Sequence, residues 1–121
     1  MKSTARAVVI GGGVVGVSTL YHLAKMGWND VVLLERKELT SGSTWHAAGL
    51  LPLFNLSYSV GKLHQYSVGL YPSLEAETGL HAGFSQVTNI RLATTRDRMD
   101  EYHYYAGVAK TIGVNVNFLT P

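Results

Sequence analysis

The spacing of apolar positions changes several times along the chain, and each change marks an element. Val8, Val9 and Ile10 form an unbroken β-branched run, which predicts a strand buried on both faces of a parallel sheet. In residues 14–25, Val14, Val17, Leu20, Tyr21 and Ala24 fall three and four apart, the period of a helix. Gly27 stands where a helix end favours a residue free to take positive φ. Residues 31–34 (Val-Val-Leu-Leu) then read as a second buried strand. The first third of the chain is therefore a strand–helix–strand unit.

Beyond it, Val60, Leu63, Tyr66 or Ser67, Leu70 and Leu74 predict an amphipathic helix ending near Gly79, kinked or broken at Pro72. Residues 84–87 and 89–94 read as two short strands, the second alternating Ile90, Leu92 and Thr94 against Arg91 and Ala93. A last helix opens around Thr95, with Thr95 or Asp97 as its cap, and runs to about Ile112, where Gly113 closes it. Val114, Val116 and Phe118 alternate with Asn115 and Asn117 as a half-buried strand. Thr120 and Pro121 suit the first turn of another helix. The fold class is α/β, a Rossmann-like start followed by mixed helices and short strands. Its topology is incomplete, because a doubly wound fold needs a third parallel strand and nothing soon after Glu35 supplies one. Residues 1–121 read as the front portion of a larger protein.

The first unit carries the chemistry. Gly11, Gly13 and Gly16 satisfy G-x-G-x-x-G between strand and helix. Gly11 permits the tight turn, Gly13 lets backbone approach a pyrophosphate, and Gly16 lets the helix pack closely on the sheet. Phosphates would meet the N–H groups and positive dipole end of the helix. Glu35 ends the second strand 24 residues beyond Gly11, near the interval of about 20 expected for an acid that accepts hydrogen bonds from an adenosine ribose. The glycines alone are a common turn. Strand, glycines, helix, strand and acid in register specify a dinucleotide site.

Residues 40–44 (Thr-Ser-Gly-Ser-Thr) precede an alanine-rich stretch, which suggests a second helix start capped by Ser or Thr. It offers either more N–H donors beside the pyrophosphate or an ordinary capped loop.

Composition narrows the partners. A chain of 121 residues, 46% hydrophobic and 15% charged, suits one small globular domain. Its net charge of +2 is spread along the chain without a basic cluster, so nucleic acid is not an expected partner. No cysteine is present, which excludes disulfides and thiolate chemistry. Lys2 and Arg6 before an apolar stretch imitate a signal peptide, but glycines interrupt that stretch at functional spacing and no cleavage site follows. No uninterrupted apolar run approaches the roughly 18–20 residues of a membrane span. Four of the five histidines, His22, His64, His81 and His103, show no metal-ligand spacing. Tyr102, Tyr104 and Tyr105 read as helix packing, with an aromatic cage for a methylated amine as the alternative.

Glu35-Arg36 and the run Ser41-Gly42-Ser43-Thr44-Trp45-His46-Ala47-Ala48-Gly49-Leu50 resemble the N-terminal segment of the dimethylglycine and sarcosine dehydrogenase family, among the D-amino-acid-oxidase-like FAD enzymes. The resemblance covers essentially the whole chain and is most specific over residues 41–50. It implies FAD contacts at Val14 and Val15, at Glu35 and Arg36 on the adenosine, and at Gly42, Ser43, Thr44, Trp45, His46, Ala47, Ala48, Gly49 and Leu50 around the pyrophosphate and ring. By the same resemblance, His46 matches the histidine that bonds covalently to the flavin. A lone histidine beside Trp45 would otherwise be read as a packing residue.

The implied activity is oxidative N-demethylation of a methylated glycine, with a small amine as substrate. The electron acceptor is not specified, and substrate-binding residues are expected beyond Pro121. Expected locations are the bacterial cytoplasm or the mitochondrial matrix. Another FAD enzyme of the superfamily, a secondary-amine oxidase or a glycerol-phosphate-type dehydrogenase, is the alternative. A non-catalytic fragment is the other. An NAD dehydrogenase fits less well, since nothing after Glu35 continues a strand–helix alternation. Residues 1–121 alone are expected to be inactive and poorly stable.

Overall fold

The computed structural model describes residues 3–120, so Lys2 of the signal-like stretch and the helix start anticipated at Pro121 lie outside the described residues. Two compact units divide the chain, Met1–Leu50 and Leu51–Pro121.

The first unit is the strand–helix–strand anticipated from the apolar spacing. Strand β1 (Ala7–Ile10) pairs in parallel with β2 (Val31–Leu34), Ala7 opposite Val31 and Ile10 opposite Leu34. The ladder continues past the strand end through Gly11 N–H to Leu34 O at 2.8 Å, which fixes where the turn begins. Helix α1 (Val14–Lys25) joins the strands and packs on both. It ends as expected: Gly27 takes φ +83° and the N–H of Trp28 reaches back to Leu23 O at 3.0 Å.

One expectation is corrected here. β1 is not buried on both faces: Val8 is 50% exposed and Ile10 85%. The reason is geometric. The helix covers one face of a two-stranded sheet, and no other element of this unit among the described residues covers the second face or pairs with the second edge of β1.

The second unit is built on α2 (Tyr58–Thr78) and α3 (Arg96–Ile112), which pack together. Pro72 lies inside α2 without breaking it, and it leaves the helix one N–H short. Gly79 ends α2 at φ +71°. Thr95 caps α3, its hydroxyl oxygen accepting from Arg98 N–H at 3.2 Å, and Gly113 ends it at φ +88°. The fully buried Ile112 packs against Gly61 of α2, and Lys62 Nζ donates to Ile112 O at 2.9 Å. Tyr102 donates to Leu92 O and Tyr105 to Glu101, while the Tyr105 ring lies 5.4 Å from that of Phe54. These tyrosines are thus engaged in helix and loop packing.

The strands expected at residues 84–87, 89–94 and 114–118 are absent; these segments are irregular. Apolar alternation supplies a face for a strand, but a strand also needs a neighbouring ladder, and none of these segments has one among the described residues.

Candidate functional site

The expected site residues all fall in the first unit, and most of them meet at the turn between β1 and α1. Gly11 leaves the strand with φ +108°, a conformation that L side chains rarely adopt. Gly13 is the N-cap of α1, and its carbonyl accepts the first helical bond from Val17 at 2.9 Å. Val14 and Val15 follow as the exposed first residues of the helix. Gly16 lies so close to the turn that a Cβ there would sit 1.9 Å from Gly11 O. A side chain would have to displace backbone, so close packing of α1 on the turn requires glycine, as the motif predicts.

Glu35 stands at the end of β2 and reaches back over the turn. Its Oε2 accepts from Gly12 N–H at 2.6 Å and its Oε1 from Lys37 N–H at 2.9 Å. These two N–H groups, Gly12 foremost, hold the carboxyl below its ordinary pKa, and the neighbouring Arg36 adds to the effect. A carboxylate has about four lone-pair positions, so two remain for further donors such as ribose hydroxyls.

The segment after β2 folds back as a strap across the glycines. Thr40 N–H donates to Gly12 O at 2.9 Å, and a methyl on the buried Gly12 would lie 2.6 Å from Leu39 Cδ2. Val14 N–H donates to Thr44 Oγ1 at 2.9 Å. Thr40 carries φ +67°, uncommon for a β-branched residue, where its N–H bonds Gly12 O.

The anticipated second helix start is corrected. Residues Ser43–His46 make only one 3-10 turn, and Gly42 before it provides no side-chain cap. Thr44 caps a helix, but that helix is α1.

Within the turn, the His46 ring lies 3.9 Å from that of Trp45, tilted by 36°, and His46 Nδ1 is 3.2 Å from Gly42 O. A carbonyl oxygen only accepts, so Nδ1 is the donor in this contact. Trp45 and His46 are exposed; Ala47 N–H donates to Thr44 O at 3.2 Å. Ala48, Gly49 and Leu50 are exposed, with Gly49 at φ +73° and Leu50 81% accessible. They lie further along the chain and make none of the ties to the glycine turn. Arg36 and Ser43 are likewise exposed.

Gly12, Leu39 and Thr40 belong to this arrangement although the motif did not single them out. Gly12 was legible only as the variable position between two motif glycines. Thr40 was legible only as one of the hydroxyl residues of a second helix start, and Leu39 was not singled out, because the role of both depends on where the strap lands.

The site fits the diphosphate of a dinucleotide. The first turn of α1 contains no acidic side chain to compete with an anion, and the three consecutive glycines before it carry no side chains, while the N–H groups of Gly11, Gly12 and Val14 are engaged by Leu34, Glu35 and Thr44. No group of histidine and acidic side chains capable of holding a metal ion occurs among the described residues.

Comparison with known proteins agrees. Residues 6–121 match the family model of the FAD dependent oxidoreductases known as DAO. The chain is 57% identical over 103 residues to rat mitochondrial dimethylglycine dehydrogenase, a match covering 85% of this chain and 12% of that protein. It is 47% identical to human mitochondrial sarcosine dehydrogenase, covering 100% of this chain and 13% of that one. The chain thus spans about an eighth of the length of these relatives. The crystal structure of glycine oxidase from Geobacillus kaustophilus superposes with a TM-score of 0.76 at 31% identity, covering 96% of this chain and 33% of that one. The glycine turn and the family match converge, and the chain belongs to the DAO family of FAD-dependent oxidoreductases.

Proposed function

We propose that this chain is the FAD-seating front part of an enzyme that oxidatively N-demethylates a methylated glycine of the dimethylglycine or sarcosine type. The observation that carries the reading is the joining of Gly12, Val14, Glu35 and Thr44 by short hydrogen bonds around one glycine turn, in a chain 57% identical to a dimethylglycine dehydrogenase. Bound FAD would supply the hydride acceptor.

The chain's own residues would do the seating. The start of α1, at Val14 and Val15, receives the diphosphate. Glu35, kept ionised by its low pKa, accepts from ribose hydroxyls with the lone pairs that Gly12 and Lys37 leave free, and Arg36 lies at the same adenosine end. Residues 42–50 face the diphosphate and ring. His46 would anchor the flavin covalently through Nε2. The Gly42 carbonyl supports this by taking Nδ1 as its donor, which in the neutral ring leaves the lone pair on Nε2.

The substrate is a small methylated amine. The relatives named above are mitochondrial by description, which supports a matrix location, and no helix among the described residues is long and apolar enough to cross a membrane. The superposition on glycine oxidase favours one second reading, a flavin oxidase of another small amine.

The test uses the full-length protein. Acid precipitation should leave yellow fluorescence on the polypeptide, with a flavin-sized mass increment on the peptide containing His46, and His46→Ala should release the flavin. Dimethylglycine or sarcosine should bleach the flavin anaerobically where glycine does not. Complete release of FAD on precipitation overturns the anchor. Bleaching by glycine alone overturns the N-demethylation reading in favour of the oxidase.

A further inference from the structure

Gly12 is the one buried residue of the first unit among the described residues. Three groups meet on it. Its N–H donates to Glu35 Oε2 at 2.6 Å, its carbonyl accepts from Thr40 N–H at 2.9 Å, and its α-carbon lies against the Leu39 side chain. A Cβ built on Gly12 would meet Leu39 Cδ2 at 2.6 Å and the Cβ and Cγ of Glu35 at 3.1 Å. The leucine methyl and the stem of the acid converge on one bare α-carbon.

Leu39 is itself 59% exposed, so its own burial adds little to stability. Backbone bonds hold it in place: Thr40 N–H on Gly12 O, then Ser41 N–H on Glu38 O at 3.2 Å. What its side chain does is cover Gly12. A hydrogen bond shielded from water is stronger than one that water contests. The shielded bond from Gly12 ties Oε2 of Glu35, and Lys37 N–H ties Oε1 at 2.9 Å. With both oxygens tied, the plane of the carboxylate is set, and with it the directions of the lone pairs left over.

We infer that Leu39 is a positioning residue for Glu35: its methyl group keeps water off the Gly12–Glu35 bond and so aims the remaining carboxylate lone pairs at the ribose hydroxyls. It acts through the acid rather than by contact with the nucleotide.

This inference rests on the proposed FAD reading, and the experiment separates the two. Flavin-free full-length protein, made under riboflavin limitation, is titrated with ADP and with the ADP analogue whose ribose lacks both hydroxyls. Adenine and diphosphate are common to the two, so the ratio of their affinities isolates the ribose contacts. Wild-type protein should favour ADP by about tenfold. Wild-type protein that binds neither, or shows no preference, sinks the seating at Glu35 and the inference with it. Given a wild-type preference, Leu39→Ala should cut it about fivefold and leave the analogue's own affinity within about twofold. Leu39→Met, which keeps an apolar group over Gly12, should restore the preference. An unchanged ratio in Leu39→Ala overturns the inference alone. So does an equal loss of both ligands, which marks a merely structural leucine, and so does a ratio that Leu39→Met fails to restore. If Leu39→Ala does not fold, Leu39→Asn, which keeps the bulk and brings water to the bond, is read in the same way.

Discussion

The Glu35 carboxylate accepts the N–H of Gly12 at 2.6 Å, so the acid that ends the second strand also closes the turn that follows the first. Its folded pKa lies below the ordinary carboxyl value because of that bond and the one from Lys37. A depressed folded pKa gives stability that is present above the unfolded value of about 4.5 and is lost as pH falls through the folded value. Wild-type full-length protein should therefore lose melting temperature between about pH 5 and pH 3 by more than Glu35→Gln does. Parallel melting curves for the two proteins across that range would discard the bond as a source of stability.

Gly16→Ala should be severe. The added carbon would meet Gly11 O at 1.9 Å, and a backbone oxygen in a turn already fixed by the sheet ladder cannot move aside cheaply. A destabilisation of about 3 kcal/mol or more is expected, with loss of FAD uptake. Thermal unfolding and flavin content of the purified variant check this, and a variant with normal flavin content and an unchanged melting temperature is the contrary result.

Two glycines of α2 should answer the same substitution with opposite signs. A Cβ on Gly61 would lie 2.5 Å from Ile112 Cδ1 and 3.2 Å from its Cγ2, against a side chain with no room to retreat. Gly61→Ala should destabilise by about 1–2 kcal/mol net of the helix propensity gained, and Ile112→Val in the same protein should recover part of that loss. Gly69 has nothing within 4 Å of its Cβ position, so Gly69→Ala should stabilise by about 0.5–1 kcal/mol. Chemical denaturation of the four proteins measures the signs directly. Equal effects at Gly61 and Gly69 would contradict the packing described.

Residues 1–121 produced alone should associate rather than bind flavin well. Val8 at 50%, Ile10 at 85% and Leu34 at 53% exposure present apolar surface beside an unpaired strand edge. Low solubility and no retained FAD are expected on gel filtration. A monomer with stoichiometric FAD and a cooperative melt would refute this.

The parts of the fold written in local pattern were legible in the sequence. The helix of residues 14–25, its glycine end and the two strands were predicted because each declares itself within a few residues. The end of the last helix at Gly113 did so too, and its start was narrowed to Thr95 or Asp97, of which Thr95 is the cap. The strands expected near Ile90 and Val116 were not realised, because pairing is a relation to another segment and alternation specifies only half of it. Thr44 shows the same limit within the site. The hydroxyl run at residues 40–44 suggests a cap for a helix of its own or a capped loop, since capping is ordinarily local. The sequence carries no mark of a side chain that caps a helix thirty residues earlier.

The ties from Glu35 and Thr44 to the glycine turn bridge 23 and 30 residues, short loops whose closure costs little chain entropy. The β1–β2 ladder spans a similar interval, Ala7 opposite Val31, so the ties and the strand pairing close over the same stretch of chain. Every group in those bonds lies between Gly12 and Thr44, so none of them waits on the chain that follows. The turn can therefore take shape during synthesis.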